Sequence, residues 1–371
     1  MGDPGASTNA ADRRDGAIRP AVAADNPALI ELERACPQGS GLLIASERKD
    51  YFFRSTLYGN HHTLVAVDRE ADRLIGAMAG TVKEVFVSGR PRSASLFYDL
   101  RVHPEYRRTV LGRHMLRVWN LMNAWAAGNG SDLLFGLVKS DNENMLALQR
   151  KKKEYRFVGR MVVLGRPVFR KRRLASEPRE VELPGENEWI SRKVWEHYGG
   201  WQFFPTAFRG RYLTPEMEAS GLFSCYCLEQ GDSFASLGLF RVNRTMHTRV
   251  VRLPLKYRVL RPLLEAARLV TPVPRIPAEG GIISYCHLFN HLAEGPRGLE
   301  LWAELVRFAN NQALAEGATL LMSAFDEHDP FLPLFARGAI NRIDYLLGYL
   351  PFKPDVPETL TPYYPDIRDM M

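Results

Sequence analysis

The chain has 371 residues, of which 46% are hydrophobic and 25% charged, and its formal net charge is +7. This composition is ordinary for a globular protein, the length favours two domains over one, and no apolar run is long enough to cross a bilayer. Residues 1–17 are rich in Gly, Ala, Asp and Pro and lack the apolar core of a secretory signal. We therefore expect a disordered leader there.

The four cysteines are Cys36, Cys225, Cys227 and Cys286. Cys225 and Cys227 would share one face of a strand, but no second pair has the spacing of a zinc site. We therefore expect free thiols, no metal centre, and a reducing compartment such as the cytoplasm.

The first half of the chain predicts strands alternating with helices. The predicted helices are 24–34, 47–58, 112–127 and 142–153, and the predicted strands are 63–67, 74–87, 94–102, 133–138 and 157–164. A polar turn at 68–73 joins two of these strands and predicts an antiparallel hairpin.

The second half repeats this order loosely. Its predicted helices are 186–197, 255–270, 299–316 and 330–337, and its predicted strands are 223–229, 233–242, 281–289, 318–324 and 344–349. The repeat suggests an internal duplication. We predict an α/β (α+β) chain with one domain at 18–165, a basic, proline-containing linker at 166–184, and a second domain at 185–371.

The segment 98–119, YDLRVHPEYRRTVLGRHMLRVW, predicts a phosphate site. It reads as a strand, a short basic turn and the start of a helix. Unpaired backbone N–H groups at a helix start point outward, and the helix dipole adds partial positive charge. The guanidinium groups of Arg107, Arg108 and Arg113 surround this start and are suited to phosphate oxygens.

This order of elements resembles the GNAT superfamily of N-acetyltransferases, with the 98–119 segment at its centre. The family's hexad, Gln/Arg-x-x-Gly-x-Gly/Ala, falls on residues 107–112. Arg107 and Gly112 match it, and Val110 stands where the family has its first glycine. The resemblance covers roughly residues 18–164.

A second element of the family is also present. The family's Asn-x-x-Ala pattern matches at Asn144 and Ala147, after the predicted strand 133–138. Lys151 occupies the position at which the family often has a tyrosine that protonates the departing CoA thiolate.

The resemblance implies two GNAT-like domains, each a mixed, mostly antiparallel sheet flanked by helices. It implies a tandem protein with a working cofactor site in the first copy and a degenerate second copy. The implied activity is acyl-CoA-dependent N-acyl transfer, in the simplest case N-acetyl transfer, to a primary amine by direct attack. The donor would be acetyl-CoA or a longer acyl-CoA, and the acceptor a small-molecule or peptide amine.

The resemblance also implies site residues. The cofactor-binding set is Leu100, Val102, Arg107, Arg108, Thr109, Val110, Leu111, Gly112, Arg113 and Asn144. For catalysis, Asp99 is the carboxylate at the centre of its strand and is the candidate base, with pairing to Arg101 or to a neighbouring strand as the alternative. Tyr98 is the candidate proton donor, with core packing as the alternative.

Strict alternation along strand 94–102 predicts that Tyr98, Leu100 and Val102 share one face of the sheet. It places Asp99 and Arg101 on the opposite face.

Two other functions compete with acyl transfer. A non-catalytic acyl-CoA-binding or regulatory protein would tolerate the departures at Val110 and Lys151. A nucleic-acid binder would use residues 150–173, where eleven Lys or Arg stand against one acid; we rank it last.

The aromatic cluster at 195–204 predicts either core packing between the copies or a pocket for a long acyl chain. The sequence leaves open the amine, the acyl length, the choice between acyl-CoA and acyl-carrier protein, the role of the second copy and the oligomeric state.

Overall fold

The computed structural model describes residues 16–39, 41–107, 109–151, 154–183, 185–354 and 362–371, except for the side chains of residues 110–113, 144 and 148. These residues form a 13-stranded mixed sheet, a three-stranded sheet and helices on both faces of the large sheet.

The strands are β1 (Gly16–Pro20), β2 (Leu43–Arg48), β3 (His61–Asp68), β4 (Arg73–Val87), β5 (Arg90–Val102), β6 (Leu133–Lys139), β7 (Arg156–Pro167), β8 (Arg179–Glu180), β9 (Phe204–Pro205), β10 (Phe223–Gln230), β11 (Ser233–Phe240), β12 (Met246–Arg252), β13 (Ile282–Ile283), β14 (Tyr285–Glu294), β15 (Leu320–Asp326) and β16 (Asn341–Pro351). The helices are α1 (Asn26–Arg34), α2 (Phe53–Thr56), α3 (Val110–Gly128), α4 (Glu143–Arg150), α5 (Asn187–Tyr198), α6 (Pro215–Ser220), α7 (Leu255–Ala267), α8 (Gly298–Ala315) and α9 (Leu332–Ala336).

The large sheet joins the two halves by exchanging their last strands. Its order is β1-β3-β4-β5-β6-β16-β7-β15-β14-β11-β10-β8, with β9 on the edge of β4. Strand β16, from the end of the second half, pairs with β6 of the first half, and β7 pairs with β15 of the second half. The two exchanged strands pair with each other at the centre. The two halves therefore share one continuous sheet. Because the sheet does not stop at residues 165 or 185, the domain boundaries predicted there stay predictions.

Helix α3 packs closely on the first half because two glycines of β4 make room for it. A Cβ on Gly76 would lie 2.4 Å from the Met115 sulfur, and a Cβ on Gly80 would lie 2.6 Å from the Met122 Cε. These contacts hold α3 against β4. A short 3₁₀ turn at Pro104–Tyr106 joins β5 to α3, so the start of the helix lies beside the end of β5.

The last described residues, 362–371, run back into the interior of the molecule. The Lys83 ammonium lies 2.7 Å from a carboxylate oxygen of Asp366 and 2.7 Å from one of Asp369. Arg54 donates to the carbonyl oxygens of Arg368 and Asp369. The tail of the second half is thus bonded to β4 and α2 of the first half.

Two sequence predictions about local structure were wrong. Residues 47–58, predicted as one helix, contain the end of β2 and the short helix α2. β2 pairs with β12, about 200 residues away in the chain, and such a partner leaves no local pattern. Residues 16 and 17, predicted as the end of a disordered leader, begin β1, which pairs with β3; residues 1–15 lie outside the described residues.

Candidate active site

A wedge opens between β5 and β6 in the first half. In the described chain these parallel strands pair at Ala94–Leu96 with Leu133–Phe135 and then separate. Beyond this point, β6 pairs with β16 along its length, while β5 stays paired with β4. Phe97 and residues 100–102 of β5, and residues 136, 137 and 139 of β6, remain partly exposed. The wedge therefore gives access to strand backbone inside the fold.

A β-bulge lies where β5 borders this wedge. Asp99 has a φ of 53°, and Asp99 and Leu100 together stand opposite the single residue Met78 of β4. Aspartate is one of the few residue types that enter the left-handed region readily. A bulge removes one residue from the ladder and turns its backbone groups away from the neighbouring strand.

The bulge makes the predicted alternation along β5 wrong. Tyr98, Asp99 and Arg101 all lie on the side of α1 and α2, where they contact Ser55, Arg48 and Glu33, respectively. Side chains alternate between the two faces of a regular strand, and the extra residue at the bulge interrupts this alternation, so Tyr98 and Asp99 lie on the same face. The predicted cofactor-binding residues Leu100 and Val102 instead lie on the α3 side of the sheet, beside the apolar cluster that contains Met115 and Met122.

Asp99 is held in a buried network of ion pairs. Its two oxygens accept from Arg48 Nη1 and Nη2 at 2.7 and 2.8 Å, and Arg54 Nη1 lies 3.8 Å from one of them. Arg48 Nε also lies 3.1 Å from Glu33 Oε2. Burial acts to raise the pKa of Asp99, but the arginine charges outweigh it and hold the pKa well below its usual range. Such a carboxylate is a weak proton acceptor, so these contacts favour the ion-pair alternative.

Tyr98 is buried on the same side as Asp99. Its hydroxyl shares a hydrogen bond of 2.9 Å with the Ser55 hydroxyl, and the Arg54 guanidinium lies 4.2 Å from the ring centroid. Burial raises the pKa of Tyr98 to about 12. These contacts fit the alternative reading of Tyr98 as a core residue with a satisfied hydroxyl.

Two of the predicted phosphate ligands, Arg107 and Thr109, have described side chains and lie just before the start of α3. The Arg107 side chain is exposed, and its Nε donates to the Val102 carbonyl oxygen at 3.1 Å. The Thr109 hydroxyl donates to the Tyr106 carbonyl oxygen at 2.9 Å. Helix α3 begins at Val110. Arg108 lies outside the described residues, as do the side chains of Val110, Leu111, Gly112, Arg113 and Asn144.

Tyr155 is a candidate that the motif comparison missed. Its hydroxyl accepts from Gln149 Nε2 at 2.9 Å and lies 3.5 Å from the position of a Cβ on Gly136, the residue at which the wedge opens. A Cβ on Gly348 would lie 2.3 Å from the Tyr155 ring, so β16 makes room for it. Burial raises the pKa of Tyr155, which keeps the phenol protonated at neutral pH. Counting residues from Asn144 leads to Lys151, whereas the fold places the buried hydroxyl of Tyr155 over Gly136, where β6 separates from β5.

The loop between α1 and β2 lies across the outer end of the wedge. The Cys36 thiol donates to the Val102 carbonyl oxygen of β5 at 3.3 Å, and Lys139 Nζ of β6 donates to Gln38 Oε1 at 3.3 Å. Both strands of the wedge are therefore bridged by one loop.

The second half contains an equivalent wedge that is filled by side chains. β14 and β15 pair in parallel at Tyr285–Leu288 with Leu320–Ser323, and Asn290, with a φ of 50°, forms the matching bulge. His291 accepts from Trp302 Nε1 and contacts the Ser323 hydroxyl.

The side chains that fill this second wedge are all buried. The Tyr364 hydroxyl donates to Asn290 Oδ1, and the Phe331 ring packs 4.9 Å from Trp302. Trp302 and Phe331 have 1% and 2% of their surface exposed. The two wedges therefore have the same backbone arrangement. The first is partly open, whereas the second is filled by side chains.

The aromatic cluster at 195–204 belongs to the core between the halves. Phe203 and Phe204 are fully buried, and Tyr198 packs against Tyr364 of the C-terminal tail. Trp195 packs its ring edge against Phe86 of β4. This is the core-packing alternative of the sequence prediction.

Within the described ranges, no group of three His, Cys, Asp or Glu side chains is placed to hold a metal ion, and no helix is long and apolar enough to span a membrane. The four cysteines lie in this part of the chain as buried free thiols.

Solved structures share this fold. Saccharomyces cerevisiae N-myristoyltransferase with bound myristoyl-CoA gives a TM-score of 0.59 at 10% identity, covering 93% of this chain and 82% of that chain. A GCN5-related N-acetyltransferase from Sphaerobacter thermophilus gives 0.55 at 13% identity, covering 93% and 98%. A tandem GNAT protein from the clavulanic acid biosynthesis pathway gives 0.52 at 11% identity, covering 92% and 100%.

No protein-family model matches the chain, and no curated protein matches its sequence. At identities of 10–13% the likeness establishes the fold. The chain has the tandem GNAT fold, and both the fold class and the tandem arrangement predicted from the sequence are confirmed.

Proposed function

We propose that this chain is an acyl-CoA-dependent N-acyltransferase whose working site is the wedge between β5 and β6. The observation that carries the proposal is the contrast between the two wedges. Both have parallel strands that separate beside a left-handed bulge, but the first is partly open and leads to the basic start of α3, whereas the second is filled. A donor with a pantetheine arm and a pyrophosphate fits an open wedge that ends at a helix N-terminus.

In the proposed reaction an amine nitrogen attacks the thioester carbonyl carbon of the acyl-CoA. The new C–N bond forms, the C–S bond breaks, and the ammonium gives its proton to solvent water, which in turn reprotonates the acid that has protonated the departing thiolate. Backbone N–H groups at the bulge, which interrupts the ladder with β4, would polarise the carbonyl oxygen. The strand backbone at Leu100 and Val102 would pair with the pantetheine arm, which at Val102 would displace the Cys36 thiol from the carbonyl oxygen. Arg107, Arg108 and Arg113 would bind the phosphates together with the amides at the start of α3.

We assign the protonation of the departing thiolate to Tyr155. Its phenol is protonated at neutral pH and lies at the point where the wedge opens. A general acid must be within hydrogen-bond reach of the group that it protonates, and the hydroxyl is held there by Gln149. Asp99 and Tyr98 would then support the bulge through ion pairs and packing, and would not carry protons themselves.

The proposal is tested by titration calorimetry with acetyl-CoA and with longer acyl-CoAs, followed by detection of free CoA thiol with a panel of amines. Arg107→Ala should weaken acyl-CoA binding about tenfold, because one phosphate contact of a guanidinium contributes roughly 1.4 kcal/mol or more. Arg117→Ala, which removes an exposed arginine further along α3, is the matched control and should bind like the wild type.

The outcomes separate the candidate functions. A folded protein that binds none of the acyl-CoAs would refute the proposal. Binding that depends on Arg107, without turnover of any amine, would favour the non-catalytic acyl-CoA-binding protein. The acyl length follows from the titration series, since the proposal covers acetyl-CoA and longer donors alike.

A further inference from the structure

Helix α7 presents an uncovered apolar stripe. None of its residues is buried by the described chain, and Leu255, Val259 and Leu263, which follow one another at intervals of four residues, are 76%, 59% and 64% exposed. Leu269 and Val270, just beyond the helix, are 91% and 89% exposed. Isolated exposed leucines are normal, but a stripe that continues over three turns marks a contact surface.

The charges around the stripe define what would cover it. Residues 252–279 contain six Lys or Arg and two acids, Glu265 and Glu279. Glu279 pairs with Arg258 at 2.6 Å, and the segment keeps an excess of positive charge. At 100° per residue, Lys256 and Arg258 lie on opposite sides of the stripe. An apolar stripe bordered by basic residues is the pattern of a helix that lies in the interface of a membrane with anionic lipids. The same positive charge disfavours a second copy docked face to face, because like charges would then meet.

The position of the helix gives this surface a definite place in the molecule. β12, which leads into α7, pairs with β2 in the small sheet. Pro254 at the start of α7 lies 3.9 Å from the position of a Cβ on Gly41, in the loop that bridges the wedge. The stripe is therefore next to the loop at the outer end of the wedge.

We propose that α7 and the turn after it dock on the surface of an anionic phospholipid bilayer. The apolar stripe would insert at the level of the headgroups, and the flanking basic side chains would contact lipid phosphates. This docking is peripheral, and it is independent of the proposed acyl transfer, since it uses residues outside the wedge.

The test is co-sedimentation of the full chain with vesicles. The wild type should pellet with vesicles of equal parts phosphatidylcholine and phosphatidylglycerol, remain in solution with phosphatidylcholine alone, and be released by salt. Val259→Asp with Leu263→Asp, and separately Lys256→Glu, should each reduce binding about tenfold or more. Leu299→Asp on α8, which changes a leucine 52% exposed, is the matched control and should bind like the wild type.

Three results would overturn the proposal. The first is a wild type that does not pellet with anionic vesicles. The second is a loss of binding in the control as large as in the stripe variants. The third is a wild type that is dimeric by light scattering and becomes monomeric in the stripe variants, since a second copy would then be the partner. Thermal melting of each variant shows that the comparison is made between folded proteins.

Discussion

Substitution of Asp99 by Asn distinguishes a structural role of this residue, as a partner in buried ion pairs, from a role as catalytic base. Asn keeps the shape of the side chain and, like Asp, enters the left-handed region in which residue 99 lies at a φ of 53°. It therefore removes the charge without adding backbone strain. The carboxylate that is lost accepts two hydrogen bonds from Arg48 and lies near Arg54.

The charges of the cluster set the expected cost. The wild type has three guanidinium groups, of Arg48, Arg54 and Arg101, against the carboxylates of Glu33 and Asp99. Asp99→Asn leaves three cations with one anion, whereas Arg48→Met leaves two of each. Removing one partner of a buried ion pair costs roughly 3–5 kcal/mol. We expect the unfolding free energy to fall by about 5 kcal/mol in Asp99→Asn and by about 3 kcal/mol in Arg48→Met.

The assay is urea unfolding of both single variants and the double variant, with acyl transfer measured per folded molecule. If Asp99 acts through its ion pairs, the loss of unfolding free energy in the double variant should be smaller than the sum of the losses in the two single variants. The two single variants should also keep kcat within a few-fold of the wild type. A catalytic base would behave differently. Asp99→Asn would then keep its stability, lose about 10²–10⁴ in rate, and change the acidic limb of the pH–rate profile, while Arg48→Met would stay active. That result would refute the structural role.

Two further substitutions test other parts of the structure. Tyr155→Phe should lower kcat by roughly 10² or more with acyl-CoA affinity unchanged, because it removes the proposed acid and keeps the ring; a kcat equal to that of the wild type would exclude Tyr155 as the acid. Lys83→Met should cost about 3–5 kcal/mol, since it leaves Asp366 and Asp369 buried without their ammonium partner. Burial already raises the pKa of Asp369 in the presence of Lys83. Without Lys83, the folded state should therefore bind a proton at a pH at which the unfolded state does not. The loss of unfolding free energy relative to the wild type should then shrink as pH falls from 7 to about 5. Lys193→Met, which breaks a partly exposed pair, is the control and should cost under about 1 kcal/mol in urea unfolding.

Local patterns predicted the elements that surround the site. The bounds of β4 and β6 differ by about one residue from the predicted 74–87 and 133–138, and α3 begins two residues before the predicted 112. These segments have strong apolar periodicity and clear turns at their ends, so neighbouring residues are enough to predict where each element begins and ends.

The sequence could not predict features that depend on distant partners. The bulge at Asp99 needs the register of β4, and the exchange of β7 and β16 needs the whole sheet. Tyr155 reaches the wedge because Gly348, almost 200 residues later, leaves space for its ring. One local signal was available: Tyr98-Asp99-Leu100 and Phe289-Asn290-His291 each place an Asx residue after an aromatic one at the bulge.

The exchange of the last strands has a consequence for how the protein is made. During synthesis, β6 leaves the ribosome without β16, the strand that will cover its free edge. At about 5–20 residues per second, the roughly 200 residues that separate them take about 10–40 s to translate. For that time the apolar segment LLFGLVK at 133–139 is an open edge of the kind that pairs with other chains. Slow translation of the second half, or the absence of a chaperone, should therefore lower the yield of folded protein without any change in the stability of the finished molecule.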